Sequence, residues 1–100
     1  MNSHGKGSDR SAALYQALLT LKTPEECYAF FEDLCTVSEQ MAMEQRFEVA
    51  RLLEQGDIYS DVLEKTGVSS ATVSRVKRCL NYGAGGYRQV LDRMKDEEQA

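Results

Sequence analysis

The chain has no tryptophan, a single histidine (His4) and a single proline (Pro24), and its three cysteines, Cys27, Cys35 and Cys79, form no C-x-x-C pair. Each shortage excludes something. With one histidine and no paired cysteines there is no credible metal site, and an odd set of scattered thiols is expected to stay reduced and mostly buried. One proline leaves long stretches free to be helical. Long apolar runs are also missing. Met1 to Ser8 is polar and glycine-rich with no apolar run behind it, so neither a secretory signal nor a membrane span is expected, and the expected location is cytoplasmic. Catalytic signatures are absent as well: there is no histidine beyond the N-terminal stretch, no evident carboxylate pair and no G-x-S-x-G. Enzymatic activity is not expected.

What is present is charge, unevenly spread. The net charge is −4, from 12 basic and 16 acidic residues, which taken whole argues against an avid nucleic-acid binder. The distribution reverses that impression. From Glu25 to Glu64 there are 11 acidic residues against Arg46 and Arg51, whereas from Lys65 to Lys95 there are seven basic residues against Asp92 alone. Arg46 beside Glu44 or Glu48 reads as ordinary pairing on a helix surface.

The apolar residues recur at helical spacing, and no convincing alternating strand or internal repeat is present. Residues 1–9 are expected to be a flexible arm and 10–97 one domain, with dimerisation helices over 10–55, a helix-turn-helix over 57–81 and a last helix over 86–96. Leu14, Ala17, Leu18 and Leu21 mark a first helix from Ser11 to Leu21. Thr23-Pro24-Glu25-Glu26 is a start signal for a second, with threonine as cap, proline in the first turn and acids against the helix dipole. That helix carries Cys27, Tyr28, Phe30, Phe31 and Leu34, a band broad enough to want burial on more than one side. Thr36 or Ser38 caps a third helix lined by Met41, Phe47, Val49, Leu52 and Leu53, which Gly56 ends; Asp57 is placed to cap the next. Ile58 to Thr66 makes a short fourth helix. Tyr82 to Tyr87 lacks the lysine and hydroxyl of a phosphate-binding loop, so it reads as a helix end and turn before a final helix from Tyr87 to Met94. The tail from Asp96 is expected to fray. A chain of 100 residues buries only about two-thirds of its unfolded surface, so its own core is thin and a partner subunit would add burial.

The stretch from Thr66 to Arg78 carries the functional signal. Gly67 sits where a tight turn between helices needs positive φ, and Ser69 is placed to cap the following helix. From Ser70 the residues sort onto two faces: Val73, Val76 and Leu80 on one, and Ala71, Ser74, Arg75 and Arg78 on the other. One face packs and the other is free to enter a groove.

These residues resemble the tryptophan repressor family, and within it the YerC/YecD-type branch. The resemblance covers about Leu14 to Leu91 and rests on Leu34-Cys35-Thr36, Arg46, Leu53-Glu54-Gln55-Gly56 and above all TGVSSATVSRVKRCLNYG from Thr66 to Gly83. It implies an all-α, six-helix fold and an intertwined homodimer. It also implies two reading helices that enter successive major grooves of double-stranded DNA about 34 Å apart, a spacing that belongs to the family. By resemblance the DNA-facing residues are Ser70, Ala71, Thr72 and Ser74, and the capping Ser69 is counted with them as a DNA-binding candidate. Arg75, Lys77 and Arg78 add phosphate contacts on their charge alone. Asp61 and Glu64 stand near positions that are more basic in the family repressor, so affinity at physiological salt is expected to be modest.

The effector site transfers less well. In the family repressor an amino-acid ligand lies between the third helix and the reading helix, flanked by two arginines; Arg46 and Arg75 match those, and Thr36 matches a pocket position. Cys79 replaces a serine near the ligand's amino group. Val76, however, replaces a glycine and would occupy space that an indole ring needs, so no cofactor is assigned and L-tryptophan is not the expected effector. The leading expectation is a DNA-binding transcriptional repressor acting as a homodimer. The alternative is a protein-interaction module that keeps the helix-turn-helix scaffold without specific DNA binding, which the acidic half of the chain favours.

Overall fold

The computed structural model describes residues 5–99, with side chains from Ala12 onward, and every regular element in this range is a helix. They are α1 (Gly5–Leu18), α2 (Pro24–Leu34), α3 (Val37–Glu54), α4 (Tyr59–Thr66), α5 (Ser70–Tyr82) and α6 (Gly86–Gln99). The chain divides into two compact units, Met1–Gln40 and Met41–Ala100. The expected arm therefore overlaps α1 from Gly5 onward, and its first four residues lie outside the described range.

Local hydrogen bonding explains where the helices of the first unit begin and end. α1 stops at Leu18, earlier than the sequence pattern suggests, because the chain tightens: Thr20 N–H donates to Ala17 O and Leu21 N–H to Leu18 O, three residues back, while the Thr20 hydroxyl donates a further bond to Ala17 O at 2.7 Å. Thr23 is extended, as a residue before proline must be, and its hydroxyl accepts from Glu26 N–H at 3.1 Å. Between the two cap candidates for α3 the choice falls on Thr36. Its hydroxyl accepts from Glu39 N–H at 3.1 Å, and the Glu39 carboxylate accepts from Thr36 N–H at 2.8 Å, a reciprocal capping box.

The second unit holds the apolar core. Val49, Ala50 and Leu52 of α3, Val62 of α4, Val73 and Val76 of α5, and Leu91 of α6 are buried together, with Phe47, Leu53, Leu63, Val68, Leu80 and Tyr87 packed around them. Burying each branched side chain is worth about 1.5–3 kcal/mol before the entropy of ordering is counted, so these contacts decide how α4, α5 and α6 sit against α3. The ion pairs on the rim contribute less. Glu54 of α3 pairs with Arg88 and, at 3.8 Å, with Lys95 of α6; these are partly exposed and worth about 0–1 kcal/mol each. Glu48 gives its carboxylate to Arg51, three residues on and on the same helix face, in a two-point contact at 2.7 and 3.0 Å. It does not give it to Arg46, the partner expected from the sequence, which two residues away does not share that face. That hydrogen bond, together with the guanidinium charge, holds the Glu48 carboxyl below its ordinary pKa.

α3 ends at Gly56, which has φ +99°, with Asp57 N–H reaching back to Leu52 O and Gly56 N–H to Leu53 O. Asp57 does not cap α4. The N-cap position is Ile58, which has no side-chain cap, and the Asp57 carboxylate instead receives the Lys65 ammonium at 2.7 Å. α6 stays helical to Gln99, past the point where the charged tail is expected to fray.

Candidate nucleic-acid interface

α4, the turn after it and α5 make the candidate site. α4 closes on Gly67 at φ +72°, and Gly67 N–H donates to Leu63 O at 2.9 Å, so the glycine predicted to need a left-handed backbone has one. Two residues later Ser69 opens α5 as its N-cap. The hydroxyl accepts from Thr72 N–H at 3.2 Å and lies 3.1 Å from the Thr72 hydroxyl. Val62, Val68 and Val73 pack on both sides of the turn, which holds α5 against α4 by burial and by the turn together.

With α5 fixed in this way its two faces are clear. Val73 and Val76 are buried and Leu80 is half-buried, as the spacing predicts. Ser69, Ser70, Ala71, Ser74, Arg75, Lys77 and Arg78 are exposed, while Thr72 is half-buried and its hydroxyl lies against the cap. α5 carries no acidic residue. Its cations also differ from most others in the second unit. Arg51, Lys65, Arg88 and Lys95 are all engaged with carboxylates, whereas among the described residues Arg75, Lys77 and Arg78 enter no ion pair, a property shared with Arg46 and Arg93. On α4 the hydrogen bond from Lys65 to Asp57, reinforced by the carboxylate charge, raises the Lys65 pKa and commits that cation locally.

The candidate effector residues are scattered in role. Thr36 caps α3 in the first unit, Arg46 is half-buried in the middle of α3, and Arg75 is exposed on α5. A cleft of about 450 Å³ in the second unit is lined by Phe47, Cys79, Ala84, Gly85, Gly86, Tyr87 and Val90, and so includes neither arginine. Val76 is only 1% exposed and packs with the valines and Leu91 of the core. One contact escaped sequence reasoning altogether. The Tyr59 hydroxyl at the start of α4 donates to Ser70 O at the start of α5, at 3.2 Å. Eleven residues separate the two, and no local pattern signals such a bond.

Two helices joined by a glycine turn, with a capped second helix exposing small polar and cationic residues, define a helix-turn-helix protein. The chain belongs to the tryptophan repressor family: the profile of the Trp repressor protein matches residues 10–95. It is 53% identical over 85 residues to the uncharacterized protein YerC of Bacillus subtilis (strain 168), covering 85% of this chain and 82% of that protein. Among solved structures, a TrpR-like protein from Eubacterium eligens ATCC 27750 superposes with a TM-score of 0.84 at 48% identity, covering 94% of this chain and 96% of the other. The structure of a putative Trp repressor from Staphylococcus aureus gives a TM-score of 0.82 at 46% identity over 87% of each chain. Fold and family together point to a DNA-binding, regulatory class of protein. Among the described residues no group of three or more His, Cys, Asp or Glu is placed to hold a metal ion, and no helix is long and apolar enough to cross a membrane.

Proposed function

We propose that the chain is a sequence-specific transcriptional regulator of the repressor type, acting as a homodimer that reads the major groove of double-stranded DNA with α5. The observation that carries this reading is the exposed, acid-free face of α5 on which Arg75, Lys77 and Arg78 have no carboxylate partner among the described residues. Cations left free beside the small side chains of Ser70, Ala71 and Ser74 suit close approach of a helix to a polyanion, with charge supplying affinity and the small residues letting the backbone come near the bases.

The dimer is supported by the first unit. Its helix α2 has no buried residue, and Leu19, Val37 and Tyr28 are 79%, 74% and 57% exposed. Helices with this much uncovered apolar surface gain most by burying it against a second copy.

Selection from a random-sequence duplex pool tests the proposal. Wild-type protein enriches a pseudo-palindromic site, and the Arg75→Glu/Arg78→Glu variant loses about tenfold or more in affinity with a flatter salt dependence. No enrichment, together with a stoichiometric protein partner recovered by crosslinking, would replace this reading with that of a protein-interaction module.

A further inference from the structure

Tyr59 is the first residue of α4, and its hydroxyl donates to the main-chain oxygen of Ser70, the first residue of α5. This bond differs from the other ties between the two helices. The Gly67–Ser69 turn joins the end of α4 to the start of α5 covalently, and Val62 and Val73 join them by packing. Tyr59 instead reaches from the opposite end of α4 to the start of α5. It therefore bears on a rotation of α5 about the turn that neither the turn nor a valine contact blocks well, since apolar packing is non-directional and a hydrogen bond is not.

The bond also lands at a sensitive place. Ser70 O belongs to the peptide joining Ser70 to Ala71, and Ser70, Ala71 and Ser74 are the small exposed residues at the leading end of the helix. Tyr59 is 40% exposed, and its ring lines an open cleft of about 390 Å³ with Ile58, Lys77, Leu80 and Asn81 among the other walls. A phenylalanine there would keep the apolar contact and lose the anchor.

We infer that Tyr59 is a positioning residue for DNA specificity: its hydroxyl sets the angle of α5 on α4, so that the leading end of the reading helix meets base edges in one orientation. The inference rests on the DNA-reading proposal above. It assigns Tyr59 no contact with DNA; the effect passes through Ser70. Phosphate attraction by Arg75, Lys77 and Arg78 tolerates a small rotation because it falls off gently with distance, whereas hydrogen bonding to base edges does not.

The test compares full-length wild type, Tyr59→Phe and the Arg75→Glu/Arg78→Glu variant on two duplexes: one enriched from a random pool by the wild-type protein, and one unselected duplex of equal length. Thermal melting of each protein is recorded alongside. The expected result for Tyr59→Phe is a loss of about three- to tenfold on the selected duplex, the range of one hydrogen bond. Binding to the unselected duplex and the salt slope stay at wild-type values, and the melting temperature moves by no more than about 4 °C. A selected-duplex affinity within about twofold of wild type, or an equal loss on both duplexes, overturns the inference while leaving DNA reading intact. Failure of the wild type to enrich any duplex overturns both.

Discussion

At the scale of single residues, two glycines in one helix-turn-helix are required for different reasons, and the difference is measurable. Gly67 has φ +72° with open space where a Cβ would go, so Gly67→Ala meets only backbone strain, about 1 kcal/mol. Gly83 has an ordinary φ of −85°, but a Cβ there would run into the carbonyl oxygen of Cys79, a backbone atom at the end of α5. Gly83→Ala therefore forces the helix end or the following turn to shift, at about 1–3 kcal/mol. Urea unfolding of the two variants is expected to rank Gly83→Ala as the more destabilised, and the reverse order would show that the end of α5 yields freely. Val76 makes a third residue-scale case. It is fully enclosed, so Val76→Ala costs about 1–3 kcal/mol. A filled α3–α5 contact also carries a functional expectation: millimolar L-tryptophan leaves the duplex affinity of the wild-type protein unchanged, and a tryptophan-dependent increase would show that Val76 moves aside.

At the scale of elements, what was legible in the sequence is what local chemistry decides. The caps Thr23 and Ser69 act over three residues, and each is found where its spacing puts it; Thr36 wins over Ser38 because Glu39 completes a reciprocal box that Ser38 lacks. The two-faced pattern of α5 is legible for the same reason, since Val73 and Val76 at helical spacing compel the other residues outward. The misses occur where a side chain had a choice of partners. Asp57 had both a helix N-terminus and Lys65 within reach, and the ammonium took it. Glu48 is two residues from Arg46, on a different side of the helix, and three from Arg51, on the same side, so Arg51 took both carboxylate oxygens. Tyr59 counts as merely apolar in any pattern, because its partner is eleven residues away. The element that matters most for function invites one further variant. Ser69→Ala removes the α5 cap and is expected to cost about 1 kcal/mol in unfolding free energy. It also loosens the first turn, where Ser70 and Ala71 are presented. Hydrogen exchange at the Thr72 amide, which donates to the Ser69 hydroxyl, should rise out of proportion to exchange at Val76; a uniform rise along α5 would mean that the cap serves global stability only.

At the scale of the whole molecule, the apolar core lies in one of the two units, while exposed apolar side chains occur in both, from Leu19 and Val37 to Ile58 and Tyr82. Among the described residues all seven buried apolar side chains lie between Val49 and Leu91, while α2, with Phe30 and Phe31 in tilted contact at 5.9 Å between ring centres, buries none of its residues. Among the described residues, a thin apolar core in one unit and none in the other is a poor basis for a stable monomer of 100 residues. In the proposed homodimer, folding and association are one equilibrium, so apparent stability depends on protein concentration. The melting midpoint should rise by a few degrees for each tenfold increase in concentration, as mass action requires when unfolding releases two chains. Phe30→Ser/Phe31→Ser is expected to shift sedimentation at micromolar concentration from dimer to monomer and to abolish the concentration dependence. The same variant separates the two halves of the functional proposal. Its α5 face is untouched, so the weak, salt-sensitive affinity for unselected duplex should persist per chain, while affinity for a two-fold site falls steeply because two reading helices no longer arrive together. A variant that sediments as a monomer yet binds the selected site as tightly as wild type would show that one helix-turn-helix suffices, and the dimer would lose its place in DNA reading.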